Sequence, residues 1–199
     1  MAERLFVFGA GGHAKVVIDA ARRQGCEVLA VFDDDPTRAG KPLMDCPIIG
    51  GRAAWPAWHA AFPAAAGIVA VGDNPARLAL AGWLSAQGAV LASVVHPAAI
   101  VASSATIGAG CLLMPGAVVN AEVCIGDQVI VNSGAIVEHD CRIGDGAHLA
   151  PGSVLCGGVS VGEGTLVGAG AVILPGVAVG AGLLVKAGAV VSRNMDAAS

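Results

Sequence analysis

The chain of 199 residues carries 11 Lys and Arg against 15 Asp and Glu, a formal net charge of −4, and only 13% of its residues are charged. It is long enough for one large or two small domains, and the absence of net basic charge argues against a nucleic-acid partner. The six cysteines form no CxxC pair, which predicts reduced thiols in a cytoplasmic protein, and no run is apolar and unbroken enough to predict a membrane helix or a signal peptide.

Strands and helices are expected to alternate in the first half. Asn74 is the predicted cap of the last helix, with Pro75 in its first turn. The alternation predicts a Rossmann-like parallel sheet with helices on its faces over residues 1–96, and His96-Pro97 is the expected hinge to the rest. The strands are expected at Arg4–Phe8, Glu27–Phe32, Pro47–Gly50, Gly67–Gly72 and Ala89–Val95. The helices are expected from the glycine turn to Gln24, over Gly51–Phe62 with an interruption at Pro56, and from Asn74-Pro75 to Gln87.

A glycine turn follows the first strand. It reads Gly9-x-Gly11-x-x-Ala14, and Asp33 ends the next strand. Such a turn lets backbone N–H groups and a helix N-terminus face a phosphate. An acid at the end of the next strand can hold a ribose hydroxyl. The motif therefore predicts a phosphate-bearing ligand. A nicotinamide cofactor, or a turn needed only for packing, are the alternatives.

From Val101 to Val191 every sixth residue is aliphatic. A period of six fits neither a helix nor a strand with one buried face, but it fits a parallel β-helix in which three hexads close one triangular coil. The glycines that follow several of these aliphatics, such as Gly108 and Gly126, are interpreted as corner residues with positive φ. The second domain is therefore predicted as a solenoid over residues 97–199, with inward side chains at Val101, Ile107, Leu113, Val119, Ile125, Val131, Val137, Ile143, Leu149, Leu155, Val161, Val167, Ile173, Val179, Val185 and Val191.

His139 is the main candidate for chemistry, because it lies between Glu138 and Asp140 at a predicted corner. Imidazole suits general base catalysis, and a neighbouring carboxylate, Asp140 first and Glu138 second, can orient the ring. A solvated corner is the alternative. His148 follows half a coil later, so it cannot stack on His139 within one chain, but it could approach the His139 of another subunit.

Four segments together resemble the PglD/NeuD-type sugar acetyltransferases, and the resemblance covers nearly the whole chain. It implies the left-handed form of the β-helix and a homotrimer that holds acetyl-CoA in a groove between two subunits. It also implies a nucleotide-activated amino-sugar as acceptor, no metal, and a role in glycan biosynthesis. The segments are Gly-Ala-Gly-Gly-His-Ala-Lys-Val-Val at 9–17, Phe-Asp-Asp at 32–34, Val-Gly-Asp-Asn at 71–74, and Asn-Ser-Gly-Ala-Ile-Val-Glu-His-Asp-Cys-x-Ile-Gly-Asp-x-Ala-His-Leu-Ala-Pro-Gly at 132–152.

The resemblance also implies roles for individual residues. The catalytic base falls on His139, with Asp140 as its supporting acid. Contacts with acetyl-CoA fall on His148, Ala169 and Ala187. Contacts with the nucleotide sugar fall on Gly11, Gly12, His13, Asp33, Asp34 and Gly72. Many relatives end in a Gly-x-Pro-Ala tail near the CoA nucleotide, whereas this chain ends with the residues 192–199, so how the CoA nucleotide is held stays open.

The expected reaction is acetyl transfer from acetyl-CoA to the amine of a nucleotide-linked amino-sugar, of the UDP-4-amino-sugar or GDP-perosamine type. Gly157 is expected one coil above His139, and a backbone N–H there is the candidate oxyanion donor. O-acetylation of a sialic acid or another sugar hydroxyl is one alternative, and a non-catalytic nucleotide-binding scaffold is another.

Overall fold

The computed structural model describes residues 3–196. The chain divides into two compact units, with the boundary after Val94. Within the described residues, no helix is long and apolar enough to cross a bilayer. That nucleotide sugar binds in the first unit and acetyl-CoA in the second stays a prediction.

The first unit is a five-stranded sheet with three helices. The sheet order is β3-β4-β2-β1-β5, parallel except for the β3–β4 pair. An aromatic cluster that includes Phe6, Phe32 and Trp55 fills one side of it. In chain order the elements are β1 (Arg4–Phe8), α1 (Gly12–Gln24), β2 (Glu27–Phe32), a 3-10 turn (Pro36–Arg38), β3 (Pro42–Leu43), β4 (Cys46–Gly50), α2 (Trp55–Ala61), β5 (Ala66–Val69) and α3 (Asn74–Ala86).

The predicted elements of this unit are confirmed in order, with three local corrections. Asp73, not Asn74, caps α3, because its Oδ1 accepts the Ala76 N–H at 2.9 Å. Pro56 does not interrupt a helix but lies in the first turn of α2, where its missing N–H costs nothing. The strand expected at 89–95 is a single bridge between Gly67 and Leu91, followed by a two-residue strand.

The second unit is a parallel β-helix with three faces. The first face carries β7, β10, β13, β16, β19 and β22, the second β8, β11, β14, β17 and β20, and the third β6, β9, β12, β15, β18 and β21. The strands are β6 (Val94–Val95), β7 (Ile100–Val101), β8 (Thr106–Ile107), β9 (Leu112–Leu113), β10 (Val118–Val119), β11 (Cys124–Ile125), β12 (Ile130–Val131), β13 (Ile136–Val137), β14 (Arg142–Ile143), β15 (His148–Leu149), β16 (Val154–Leu155), β17 (Ser160–Val161), β18 (Leu166–Val167), β19 (Val172–Ile173), β20 (Ala178–Val179), β21 (Leu184–Val185) and β22 (Val190–Val191).

The six-residue period begins one repeat earlier than the sequence suggested, at Val95. His96 and Pro97 therefore lie in the first corner of the solenoid rather than in a hinge. The His96 N–H donates to the Leu113 carbonyl at 2.9 Å, and its Nδ1 accepts the Ala98 N–H at 3.0 Å. These bonds hold His96 in the first coil of the solenoid.

Glycine is required at the corners of the solenoid for two different reasons. The positive φ falls three residues after the inward aliphatic, as at Gly110 (68°) and Gly134 (66°). The glycine directly after the aliphatic has no positive φ, so the expectation for Gly108 and Gly126 was wrong in its reason. A Cβ on Gly108 would approach the Gly126 carbonyl carbon to 2.6 Å, so glycine is required there because the next coil passes too close for a side chain.

Candidate active site

The glycine turn of the first unit combines one packing glycine with two open ones. Gly9 has a φ of 111°, and a Cβ there would lie 2.8 Å from the Ala70 carbonyl oxygen, so packing requires it. Gly11 and Gly12 have no positive φ, and nothing lies within 4 Å of a Cβ built on either. Gly72 is equally open. Packing therefore does not require glycine at Gly11, Gly12 or Gly72, and the backbone there is open to close approach.

Asp33 ties the end of β2 to this turn. Its Oδ2 accepts the Ala10 N–H at 2.7 Å, and its Oδ1 accepts the Asp35 N–H at 2.9 Å. Arg38 also donates to the Ala10 carbonyl. Each Asp33 oxygen keeps a second acceptor position, so the carboxylate can shape the turn and still receive a ribose hydroxyl.

Asp33 and its neighbour Asp34 border a cavity of about 240 Å³ at the carboxyl ends of β1 and β2. Asp34 is paired with Arg52, whose Nε lies 2.9 Å from its Oδ2. Arg52 was not singled out from the sequence, because it lies in a segment with no motif. The remaining lining is mostly apolar and comes from Phe8, Gly9, Val71, Ala76, Ala79 and Leu80.

Arg77 was also missed, and it holds the loop that contains Gly72. Its side chain is fully buried, and it donates to the Val71 carbonyl at 3.0 Å, to the Gly72 carbonyl at 3.3 Å and to Asn74 Oδ1 at 2.8 Å. Burial of His13, and then the charge of Arg77, lower the pKa of that imidazole. The one signal in the sequence was that Arg77 is the sole charged residue of α3.

In the second unit, His139 and Asp140 form a bonded pair at the corner between the first and second faces. His139 Nδ1 lies 2.7 Å from Asp140 Oδ2, and both side chains are exposed. A carboxylate only accepts hydrogen bonds, so Nδ1 carries the proton and Nε2 keeps the lone pair. The pair has the arrangement of a general base with its orienting acid.

Gly157 lies against the ring of His139, one coil further on. A Cβ there would lie 2.7 Å from Nε2 and 2.6 Å from Cε1. The His139 carbonyl accepts the Gly158 N–H at 2.9 Å, which fixes the stacking of the two coils. The missing side chain of Gly157 therefore makes room for the imidazole next to a backbone N–H that has no hydrogen-bond acceptor among residues 3–196.

His148 lies outward on β15, where Asn132 sets its tautomer. Asn132 Oδ1 accepts the Ser133 N–H at 2.8 Å, so the oxygen is occupied and the amide nitrogen, 3.1 Å from His148 Nε2, is the donor. His148 Nε2 then accepts, so the proton of the neutral ring lies on Nδ1. Asn132 was part of the motif at 132–152 but was given no role from the sequence.

Ala169 and Ala187 lie at the corner between the third and first faces. Both are exposed, and the Gly188 N–H donates to the Ala169 carbonyl at 2.9 Å, which places them in successive coils. The structure therefore brings His139 to Gly157 and Ala169 to Ala187, but at two different corners. Within one chain the base and this column lie on opposite edges of the first face.

The buried thiol two residues after His139 does not compete with it. Cys141 is buried and its Sγ donates to the Cys156 carbonyl at 3.2 Å. Burial raises the pKa of this thiol, so it stays protonated and a poor nucleophile. Among the described residues there is also no group of three or more His, Cys, Asp or Glu that could hold a metal ion.

Two protein families match parts of the chain. The family described as the PglD N-terminal domain matches residues 4–84, and the bacterial transferase hexapeptide family matches residues 123–157. A comparison with curated protein sequences finds no match.

Solved structures match almost the entire chain. A variant of perosamine N-acetyltransferase from Caulobacter crescentus, with a histidine replaced by asparagine, in complex with CoA and GDP-perosamine, is 42% identical with a TM-score of 0.92, over 98% of this chain and 90% of that one. PerB of the same organism, also with CoA and GDP-perosamine, is 40% identical with a TM-score of 0.92, over 98% and 91%.

A third structure is the acetyltransferase domain of PglB from Neisseria gonorrhoeae in complex with acetyl coenzyme A, which is 34% identical with a TM-score of 0.88, over 98% of this chain and 93% of that one. These matches confirm the left-handed β-helix behind an α/β domain. At this identity over nearly the full length of both proteins, the chain belongs to the PglD/NeuD-type sugar acetyltransferases.

Proposed function

We propose that this protein transfers the acetyl group of acetyl-CoA to the amino group of a nucleotide-linked amino-sugar of the GDP-perosamine type. The observation that carries this proposal is the His139–Asp140 pair beside the bare backbone of Gly157. It supplies a base and an oxyanion donor at one corner of the solenoid. The relative with bound CoA and GDP-perosamine is described as a perosamine N-acetyltransferase, which favours an amine over a sugar hydroxyl as acceptor.

In the proposed reaction, the sugar amine attacks the thioester carbonyl carbon while His139 Nε2 accepts a proton from the nitrogen. Asp140 holds the ring through Nδ1 and stabilises the imidazolium that forms. The Gly157 N–H donates to the carbonyl oxygen as it becomes an oxyanion. When the C–S bond breaks, coenzyme A leaves as a thiolate, and His139 returns its proton to the sulfur.

The residues proposed to hold acetyl-CoA fit an extended, polar arm. The exposed corner column of Ala169 and Ala187 offers backbone without bulky side chains, and His148 lies on the third face, which borders this corner. Cations for the CoA phosphates are scarce, since the solenoid contains only Arg142, Lys186 and Arg193. Lys186 directly precedes Ala187, so we assign it to a CoA phosphate.

We infer that the site is completed by a second subunit in a homotrimer. The outward positions of the first face form an unbroken aliphatic column, whereas those of the second face are polar or small. Ile100 and Val190, at the two ends of that column, are each 65% exposed. An apolar column of this length in a soluble enzyme indicates a protein interface, and its outward residues are Ile100, Val118, Ile136, Val154, Val172 and Val190.

We place the enzyme in the cytoplasm. All six cysteines are free, as expected for a reducing compartment. The proposed reaction also uses acetyl-CoA, which is a cytoplasmic metabolite.

Replacement of His139 tests the mechanism. His139→Ala should lower turnover by about 10²–10⁴-fold, the usual contribution of a general base. Calorimetric binding of acetyl-CoA should change little. Glu163→Ala, at a different corner, is the matched control and should keep nearly full activity. If His139→Ala retains more than about half of the turnover, the base is another group.

A further inference from the structure

We propose that Asp34 and Arg52 together recognise the nucleobase and select guanine. This proposal deepens the proposed function, since it takes a nucleotide sugar to be the ligand of the first unit. It concerns the nucleobase, to which no residue has yet been assigned. Arg52 is the new participant, and Asp34 acquires a defined atom-level role.

The cavity beside these residues suits a flat ring with one polar edge. Its volume is about 240 Å³, enough for a purine base. Ala76 and Ala79 of α3 contribute a wall of small side chains to its lining, and Asp34 and Arg52 contribute charged groups. A heteroaromatic base can lie against the apolar wall and direct its hydrogen-bonding edge at the charged pair.

The charged pair is held in place before any ligand arrives. The Arg52 backbone N–H donates to Asp34 Oδ1 at 2.9 Å, and the Arg52 Nε donates to Oδ2 at 2.9 Å. The guanidinium carbon lies 5.6 Å from the centroid of the Trp83 ring. A Cβ on Gly51 would lie 2.5 Å from Asp34 Oδ1, so the close approach of the carboxylate to this loop depends on glycine. Fixed donors and acceptors favour discrimination between similar ligands.

The groups left free on this pair match guanine better than other bases. Each carboxylate oxygen can accept a second hydrogen bond, and both terminal nitrogens of Arg52 still carry donors. Guanine offers two adjacent donors, N1–H and N2–H, to a carboxylate and its O6 to a guanidinium. Uracil offers a single N–H, and adenine directs the N1 lone pair towards the carboxylate oxygens. The expected order of affinity is therefore GDP, then UDP, then ADP.

A titration with GDP and inosine diphosphate tests the contact atom by atom. Inosine diphosphate lacks only the 2-amino group of GDP, so it deletes one proposed hydrogen bond to Asp34. The wild-type enzyme should bind GDP about ten-fold to a hundred-fold more tightly than inosine diphosphate, because a hydrogen bond to a charged group is lost. In Asp34→Asn this preference should fall to about two-fold or less, because the amide no longer accepts from both donors.

Two further variants complete the experiment. Arg52→Leu should weaken the binding of both purine diphosphates about equally, since both carry the O6 that accepts a hydrogen bond from Arg52. Asp19→Asn, which removes a carboxylate paired with Arg23 on the exposed face of α1, is the matched control and should keep the wild-type preference. Thermal melting of each variant shows whether it is folded.

Equal affinity of the wild-type enzyme for GDP and inosine diphosphate would overturn the proposal. So would tighter binding of UDP than of GDP, or an Asp34→Asn variant that binds both purine diphosphates more weakly by the same factor. The titration contains neither acetyl-CoA nor sugar. Intact guanine selectivity without any acetyl transfer would therefore contradict the proposed function and leave this contact standing.

Discussion

Asp140 has a φ of 61°, in the left-handed region that glycine occupies at most other corners of the solenoid. Only Glu122, Gln128 and Asp140 replace glycine in this conformation among the described corners. A side chain costs free energy there. At Asp140 the carboxylate that is gained is the one that orients His139, so the corner combines backbone strain with a proposed catalytic role.

Two substitutions at Asp140 separate these effects. Asp140→Gly and Asp140→Ala both remove the carboxylate, so both should lower turnover by a similar factor, smaller than the loss in His139→Ala. Only the alanine keeps a Cβ in the left-handed region. The glycine variant should therefore be more stable than the alanine variant by about 1 kcal/mol.

Steady-state kinetics and chemical denaturation of the two variants measure this directly. If the alanine variant is as stable as the glycine variant, the corner is not strained. If the two differ in turnover, the side chain has a role beyond its carboxylate.

At the scale of secondary-structure elements, the first turn of α1 is kept bare. Gly11 is its N-cap and makes no side-chain capping bond, and Gly12 opens the helix although glycine is a poor helix former. Within residues 3–196, no atom of another segment lies within 4 Å of a Cβ built on either glycine. The sequence thus gives up some helix stability where the backbone is proposed to meet the nucleotide sugar.

Gly12→Ala should therefore stabilise the folded protein while weakening the binding of the nucleotide sugar. The native φ is compatible with alanine, so the free energy of unfolding should rise by about 0.4–1 kcal/mol. The added methyl group should raise KM for the nucleotide sugar by about ten-fold, because the bare backbone no longer approaches the phosphates closely. KM for acetyl-CoA should not change, and it serves as the internal control. A less stable variant with an unchanged KM for the nucleotide sugar would show that Gly12 serves packing.

The elements themselves were largely predictable, because strands and helices alternate in the first unit and a six-residue period governs the second. The bounds of β1 and β2 and the end of α1 agree with the sequence because glycine and charged residues delimit short apolar runs. The solenoid strands follow from the six-residue period. The cap of α3 was misassigned because Asp73 and Asn74 are both good capping residues, and only their backbone conformations distinguish them.

At the scale of the whole molecule, the site residues separate into those that a motif reveals and those that only folding brings together. His139 and Asp140 are adjacent in the sequence, so their pairing was predictable. The Arg52–Asp34 contact joins residues 18 positions apart and follows no local pattern, and the Arg77–Gly72 contact, although local in the chain, matches no motif. The tautomer of His148 depends on one amide, that of Asn132, and no spacing rule predicts a hydrogen-bond direction.

A mixing experiment tests the shared site. If His139 of one subunit faces the Ala169 column of another, then His139→Ala and Ala169→Trp are each inactive but complement each other. A refolded equimolar mixture should regain about a quarter of the wild-type activity, since each groove draws its two halves independently. Each variant refolded alone is the control. No recovery in mixed trimers, with their composition verified by mass spectrometry, would place the complete site within one chain.

Each inner solenoid strand pairs with the strand 18 residues before it and the one 18 residues after it, as Val118 pairs with Ile100 and Ile136. A coil thus contacts only its neighbours, and the chain can extend by adding equivalent layers. An insertion or deletion of 18 residues leaves every later side chain on the same face of the solenoid. An insertion or deletion of one residue shifts the register, so that every later side chain changes its direction. Over evolutionary time, this half of the protein can therefore be lengthened or shortened only in whole coils.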